Sequence, residues 1–150
     1  MTKNFVNKEN ARHGDHYQKV IDEIAEHKVC PFCSQHLKNY HKNPILIEGK
    51  YWLATNNMYP YKNTLHHVIF INKEHIEHIE KISTDSWNEL HSQVKQIANE
   101  RKIKGGSFLL RFGDTNFTGA SVSHLHAHLI QSNPEHQDYD KKTGLTARVG

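Results

Sequence analysis

An α+β domain, a mostly antiparallel sheet with helices on one face, is the fold class predicted by this 150-residue sequence. Three observations carry that reading. Two stretches repeat apolar residues at the helical period, several short stretches are rich in β-branched and aromatic residues, and the two kinds alternate irregularly. A single domain of this size (1–150) buries about 68–70% of the surface of its unfolded chain, enough for a core without disulfides. With 36% apolar residues and only 8 Gly and 4 Pro, the chain is neither disordered nor fibrous. The mean hydropathy is −0.77, and no apolar run approaches a membrane span. The opening residues carry no signal-peptide apolar region, so a cytoplasmic protein is expected. A net charge of +3, from 19 basic and 16 acidic residues, is too weak to argue for nucleic acid and suits an anionic small molecule.

Each element follows in order. Tyr17, Val20, Ile21 and Ile24 form an apolar stripe, predicting a helix over about 9–27. Pro31 then breaks the pattern inside a Cys30-Pro31-Phe32-Cys33 knuckle. Residues 44–48 and 51–55 read as two strands of a hairpin around Glu48-Gly49-Lys50, and 68–71 as a short central strand. Ser83 or Thr84 caps a second helix over 83–104, with Trp87, Leu90, Val94 and Ile97 on its apolar stripe and Gly105-Gly106 ending it. Its basic last turn complements the helix dipole. Residues 107–112 form a strand, 113–119 a polar loop, 122–130 a second strand, and 132–150 a loose tail.

The chemistry concentrates in the last strand. Alternation along a strand sets His124, His126 and His128 on one face, with Leu125, Ala127 and Leu129 packing on the other. Such a row suits metal ligation, or nucleophilic and acid–base work on an anionic centre; the plainer alternative is three surface histidines on an edge strand. The chain has 14 histidines but only two cysteines, Cys30 and Cys33. Two thiolates and two imidazoles make a closed tetrahedral zinc site. Spacing does not choose between His36, His41, His66, His67 and His124 as the imidazoles, and unmetallated thiols are the alternative. His75, His78 and His91 read as solvated surface residues, as do His13, His16 and His27. Tyr51 and Trp52 read equally as packing residues or as a platform for a base.

Several of these segments, read together, resemble the histidine-triad (HIT) superfamily. The run His124-Leu125-His126-Ala127-His128-Leu129-Ile130 is similar to its His-φ-His-φ-His-φ-φ motif, where φ is apolar, and follows a small-residue loop, Gly119-Ala120-Ser121. The segment His67-Val68-Ile69-Phe70-Ile71-Asn72-Lys73-Glu74-His75 resembles the first family signature. Asn57-Met58-Tyr59-Pro60-Tyr61 and the cysteine knuckle are similar to segments of the bacterial diadenosine polyphosphate phosphorylase branch. Three features depart from that branch. Asn57 lies farther from His67, the Pro-Arg-Trp tail is missing, and Gly113-Asp114-Thr115-Asn116 replaces the usual Asn-Glu-Gly or Asn-x-Gly loop.

The resemblance implies a core over about 44–131 built on a mainly antiparallel five-stranded sheet. It implies a nucleotide hydrolase or nucleotidyltransferase acting on dinucleoside polyphosphates or adenylylated compounds through a nucleotidyl-histidine intermediate. The alternative is a non-catalytic zinc- or nucleotide-binding module. By the same resemblance His126 is the nucleophile, with His128 and Ser121 assisting; Asn57, Asn116, Gly119 and Ser121 hold the nucleotide. Cys30, Cys33, His67 and His124 hold a structural Zn2+, with His66 the nearest alternative to His67. A homodimer is implied, with the 83–104 helix at its seam.

Overall fold

The computed structural model describes residues 3–11 and 14–150; His13 lies outside them. Five strands form one antiparallel sheet: β1 (Ile45–Glu48), β2 (Trp52–Asn56), β3 (Thr64–Asn72), β4 (Ser107–Arg111) and β5 (His126–Ser132), in the order β1-β2-β3-β5-β4. The predicted hairpin is β1–β2. Its turn is fastened by Glu89, whose carboxylate accepts the backbone N–H groups of Lys50, Tyr51 and Trp52 at 2.8–3.0 Å. The long helix α3 (Thr84–Glu100) carries Glu89, and Ser83 caps it by accepting the Ser86 N–H.

Period-two alternation sorts the sheet's two faces. Trp52, Ala54, Val68, Phe70, Ala127 and Leu129 meet Leu90 and Ile97 of α3 in the main core. The indole N–H of Trp52 donates to the Ser86 hydroxyl at 2.8 Å, so this ring is a core residue. The opposite face carries Leu53, Ile69 and Ile71, which pack on Leu37 of helix α2 (Ser34–Tyr40). It also carries His126 and His128, the register partners of Ile71 and Ile69. Helix α1 (Asp15–His27) buries Ile21 and Ile24 against Val6, Cys30 and Val122.

Several boundaries differ from expectation for identifiable reasons. Helix α1 begins later than residue 9, after a 3-10 turn over Lys8–Asn10 and Gly14 at φ 93°. Strand β3 starts at Thr64 because the far end of β5 pairs with it, Thr64 opposite Ser132. Strand β5 starts only at His126. Residues 121–125 bond elsewhere, with Asn7 N–H donating to Ser121, Ser123 N–H to Phe5 and Leu125 N–H to Ile76. His124 is therefore not on the strand, and the three histidines do not form one row. The 113–119 loop contains a short helix, α4 (Thr115–Thr118), and α2 was not anticipated. The tail folds back: Asn133 N–H donates to Asn63, and the Arg148 carbonyl accepts from Arg111. No helix is long and apolar enough to cross a membrane.

Leu90 fills the centre of the interface between α3 and the sheet. Leu90→Ala should lower the unfolding free energy by about 2–5 kcal/mol, the cost of removing a buried leucine and leaving a cavity. Urea denaturation measures it.

Candidate active site and metal centre

Two sites share the end of the sheet. In the first, Cys30, Cys33, His75 and His124 bring four donor atoms within 4.8 Å of one another. Cys30 Sγ is 3.3 Å from His124 Nδ1, Cys33 Sγ is 3.3 Å from His75 Nδ1, and the two Nδ1 atoms are 3.1 Å apart. A tetrahedral ion bound at about 2.0–2.3 Å holds its ligand atoms about 3.3–3.8 Å apart, close to this spacing. The outer nitrogens are already committed. His124 Nε2–H donates to the Asn72 carbonyl at 2.6 Å, and His75 Nε2 lies 3.2 Å from the Glu77 carboxylate. These outer partners aim both Nδ1 lone pairs at the thiols, as metal-binding imidazoles require. Burial pushes the His124 ring down to about 4, keeping it neutral, and pushes the Cys30 thiol up to about 12. Metal binding must therefore expel the Cys30 proton.

The second site is a cavity of about 500 Å3 on the other side of the knuckle, lined in part by Tyr17, Phe32, Asn57, Tyr61, Arg111, Gly119, Ser121, His126 and His128. His126 Nδ1–H donates to the His124 carbonyl at 2.6 Å, which leaves the lone pair on Nε2. Burial pushes this ring also down to about 4, so it is neutral at neutral pH. His128 stands beside it. The Tyr61 backbone N–H donates to His67 Nδ1 at 3.1 Å. His67 Nε2 lies 2.9 Å from His128 Nδ1 and 3.1 Å from the Asn57 amide nitrogen. His126 thus offers a lone pair beside a second imidazole that His67 holds in place.

The predicted site residues divide accordingly. Cys30, Cys33 and His124 meet as expected, but His67 is a correction. It lies within the sheet beside His128, opposite Ile130, and His75 takes its place at the metal cluster. The reason is the length of β3, which runs to Asn72; the ligand must come from beyond the strand's end, where His75 stands. His66 is not in the cluster either. His75, read as a solvated residue, is the ligand that the sequence reasoning missed. Its place in the Lys73-x-His75 end of the first signature was the available signal.

Asn57 lines the cavity, its amide nitrogen 3.1 Å from His67 Nε2. Ser121 hydrogen-bonds the Tyr17 hydroxyl, which burial pushes up to about 12 and so keeps protonated. Gly119, at φ 69°, turns the chain into the cavity wall, where a side chain would press on the Arg148 carbonyl. Asn116 is a second correction: it is exposed and bonded to Asn7, away from the cavity. Its α4 turn faces the N-terminal arm. Tyr17 and Arg111 also belong to the cavity and escaped the sequence reading, because distant segments bring them there.

An antiparallel five-stranded sheet that holds His126 and His128 in one cavity, with His124 just ahead of them, defines a histidine-triad domain. The family described as "scavenger mRNA decapping enzyme C-term binding" matches residues 29–144, and the chain belongs to that family. No curated protein sequence matches it. Among solved structures, a HIT family hydrolase from Clostridium thermocellum is similar at 25% identity and TM-score 0.56, covering 75% of this chain and 95% of that one. A histidine triad nucleotide-binding protein from Candida albicans is similar at 24% identity and TM-score 0.62, covering 81% and 83% of the two chains. A Zn-bound histidine triad family protein from Mycobacterium smegmatis shares the fold at 19% identity and TM-score 0.55, covering 81% and 82%.

Metal analysis distinguishes the two histidines. Protein purified without added metal should hold about one equivalent, as a closed four-ligand site does. His75→Ala or Cys30→Ser should lose it and destabilise the domain, and His67→Ala should keep it. Apparent affinity should rise about tenfold per pH unit for each thiol proton displaced, read by competition with a chelator.

Proposed function

We propose that this chain is a nucleotide hydrolase or nucleotidyltransferase working through a nucleotidyl-His126 intermediate. The observation that carries the reading is the bare Nε2 of His126 in a cavity that it shares with His128. With the His67 proton on Nε2, His128 Nδ1 accepts it and His128 keeps its own proton on Nε2. The similarity to the hydrolase from Clostridium thermocellum and the nucleotide-binding protein from Candida albicans supports it. Substrates are nucleoside phosphate derivatives, either dinucleoside polyphosphates or adenylylated compounds.

In the first step the His126 Nε2 lone pair forms an N–P bond while the bond from phosphorus to the leaving group breaks. The bonding pair departs with the leaving group, toward which the Ser121 hydroxyl is directed. His128 Nε2–H stabilises a non-bridging oxygen as charge gathers there. Water or inorganic phosphate then forms a new O–P bond, the N–P bond breaks, and His126 recovers its lone pair. Asn57 takes the ribose hydroxyls, and the Gly119–Ser121 turn takes the phosphate.

The metal in this reading is zinc, since two thiolates with two imidazoles match its structural sites. It joins the knuckle to the end of β3 and to the segment entering β5, and takes no part in the chemistry. Two free thiols kept for a metal suit a reducing cytoplasm. A homodimer is proposed through α3 and the edge strand β4, which leave Trp87 and Phe108 exposed. Sedimentation showing only monomer at micromolar concentration would remove that part.

His126→Ala should lose at least about a thousandfold in turnover while still binding nucleotide, because a nucleophile is used only in the chemical step. His128→Ala should lose less. Rapid quench of wild type should trap an acid-labile nucleotidyl adduct on His126. Near-wild-type turnover by a folded His126→Ala protein would refute the mechanism. Asn57→Ala should raise KM for ribonucleotides roughly tenfold through one lost polar contact.

A further inference from the structure

Arg111 ends β4 as the register partner of His126, so its side chain rises from the same face one strand away. It is 6% exposed and lines the cavity. Its contacts are all neutral acceptors. Nη1 bonds the Thr118 carbonyl, and Nη2 bonds the Tyr61 hydroxyl at 3.0 Å and the Arg148 carbonyl at 2.7 Å. No ion pair among the described residues involves it. A guanidinium stays charged at every accessible pH, and burying one without a counter-anion is costly. These three bonds leave Nε–H and one Nη1–H, charged donors that suit a phosphate or carboxylate oxygen.

The position beside His126 decides which anion. As the N–P bond forms, the His126 ring gains positive charge across from a fixed cation, which opposes the step. An anion at Arg111 whose own charge grows as the step proceeds reverses that opposition. A departing phosphate is such an anion; a departing amine is not.

We propose that Arg111 anchors a second phosphoryl group, the one bonded through oxygen to the phosphorus that His126 attacks. The cavity would then select phosphoanhydrides, meaning nucleoside and dinucleoside polyphosphates, over nucleotides with an uncharged leaving group. This rests on the nucleotidyl-transfer reading and narrows its substrate. The electron pair of the broken P–O bond leaves on the bridging oxygen of the departing phosphate, which Arg111 receives. Water or phosphate then clears His126 as before.

The test compares diadenosine triphosphate with adenosine 5′-phosphoramidate in wild type, Arg111→Gln and Arg111→Lys. Arg111→Gln should lower kcat/KM for the triphosphate by about 30-fold or more, the scale of one lost charge-assisted hydrogen bond, and for the phosphoramidate by about threefold or less. Arg111→Lys keeps a point charge and should fall between. If Arg111→Gln unfolds, the lysine variant must still lose more on the triphosphate than on the phosphoramidate. Equal losses on both substrates, or none, overturn the proposal.

A binding arm uses pyrophosphate in a calorimetric titration of wild type and both variants. Pyrophosphate should bind wild type at least about tenfold more tightly than Arg111→Gln. If wild type turns over neither substrate but shows this Arg111-dependent binding, the transfer reading fails and the anion site stands. Pyrophosphate binding that ignores Arg111 overturns the site itself.

Discussion

The hydrogen bond from His126 Nδ1–H to the His124 carbonyl, 2.6 Å long, joins the two sites at the end of the sheet. His124 faces two ways. Its ring completes the cysteine cluster, and its carbonyl sets the tautomer and the direction of the next imidazole but one. The peptide that bears it is not in the ladder; the segment is held by single bonds to the N-terminal arm, to Ile76 and to Asn72 at the end of β3. Segments held this way open more readily than paired strands. A metal bound to the His124 ring would add a restraint there, and in the proposed mechanism it would steady His126 through the His124 carbonyl. Positioning of this kind matters because a reacting group displaced by an ångström loses much of its rate advantage.

Alternation explains why His126 and His128 share a face, but not the different roles proposed for them. The difference comes from what sits behind each ring. Behind His126 is a carbonyl, an obligate acceptor; behind His128 is His67, itself turned by the Tyr61 backbone N–H. In the proposed mechanism these contacts leave a lone pair on His126 and a proton on His128 Nε2.

Much of this was legible in the sequence. The hairpin, the α3 stripe and the apolar set Leu125, Ala127 and Leu129 follow from local periodicity, because burial on one face dictates spacing directly. The cysteine pair announced a metal for the same local reason. His67 and His75 were not separable locally, since which one reaches the thiols depends on where β3 ends, and its pairing with β5 decides that. His124 was assigned to the strand because the pattern His-φ-His continues through it, while the backbone on either side of it bonds to Phe5, Asn72 and Ile76, far away in sequence. Asn116 failed for the opposite reason: its loop closed into a helical turn that faces Asn7. Arg111 looked like an ordinary strand residue until its register partner was known.

The two faces of the sheet carry different physical burdens. Against α3 the buried groups are mostly apolar, with Trp52 donating its indole N–H to Ser86 and Gln93 its amide N–H to the Trp52 carbonyl, and burial of the apolar groups is favourable without further conditions. On the opposite face His67, His126, His128 and Arg111 are all nearly out of water. Polar groups removed from water lower stability unless each finds a partner, and their partners here are arranged in series, one ring or carbonyl behind the next. Such a face is tolerable only because the α3 face supplies a core that does not depend on it. For the proposed transfer the arrangement prepares the cavity for charge, since fixed dipoles need not reorganise when a phosphoryl group arrives. The polarity that costs stability is then the same polarity that would stabilise transfer.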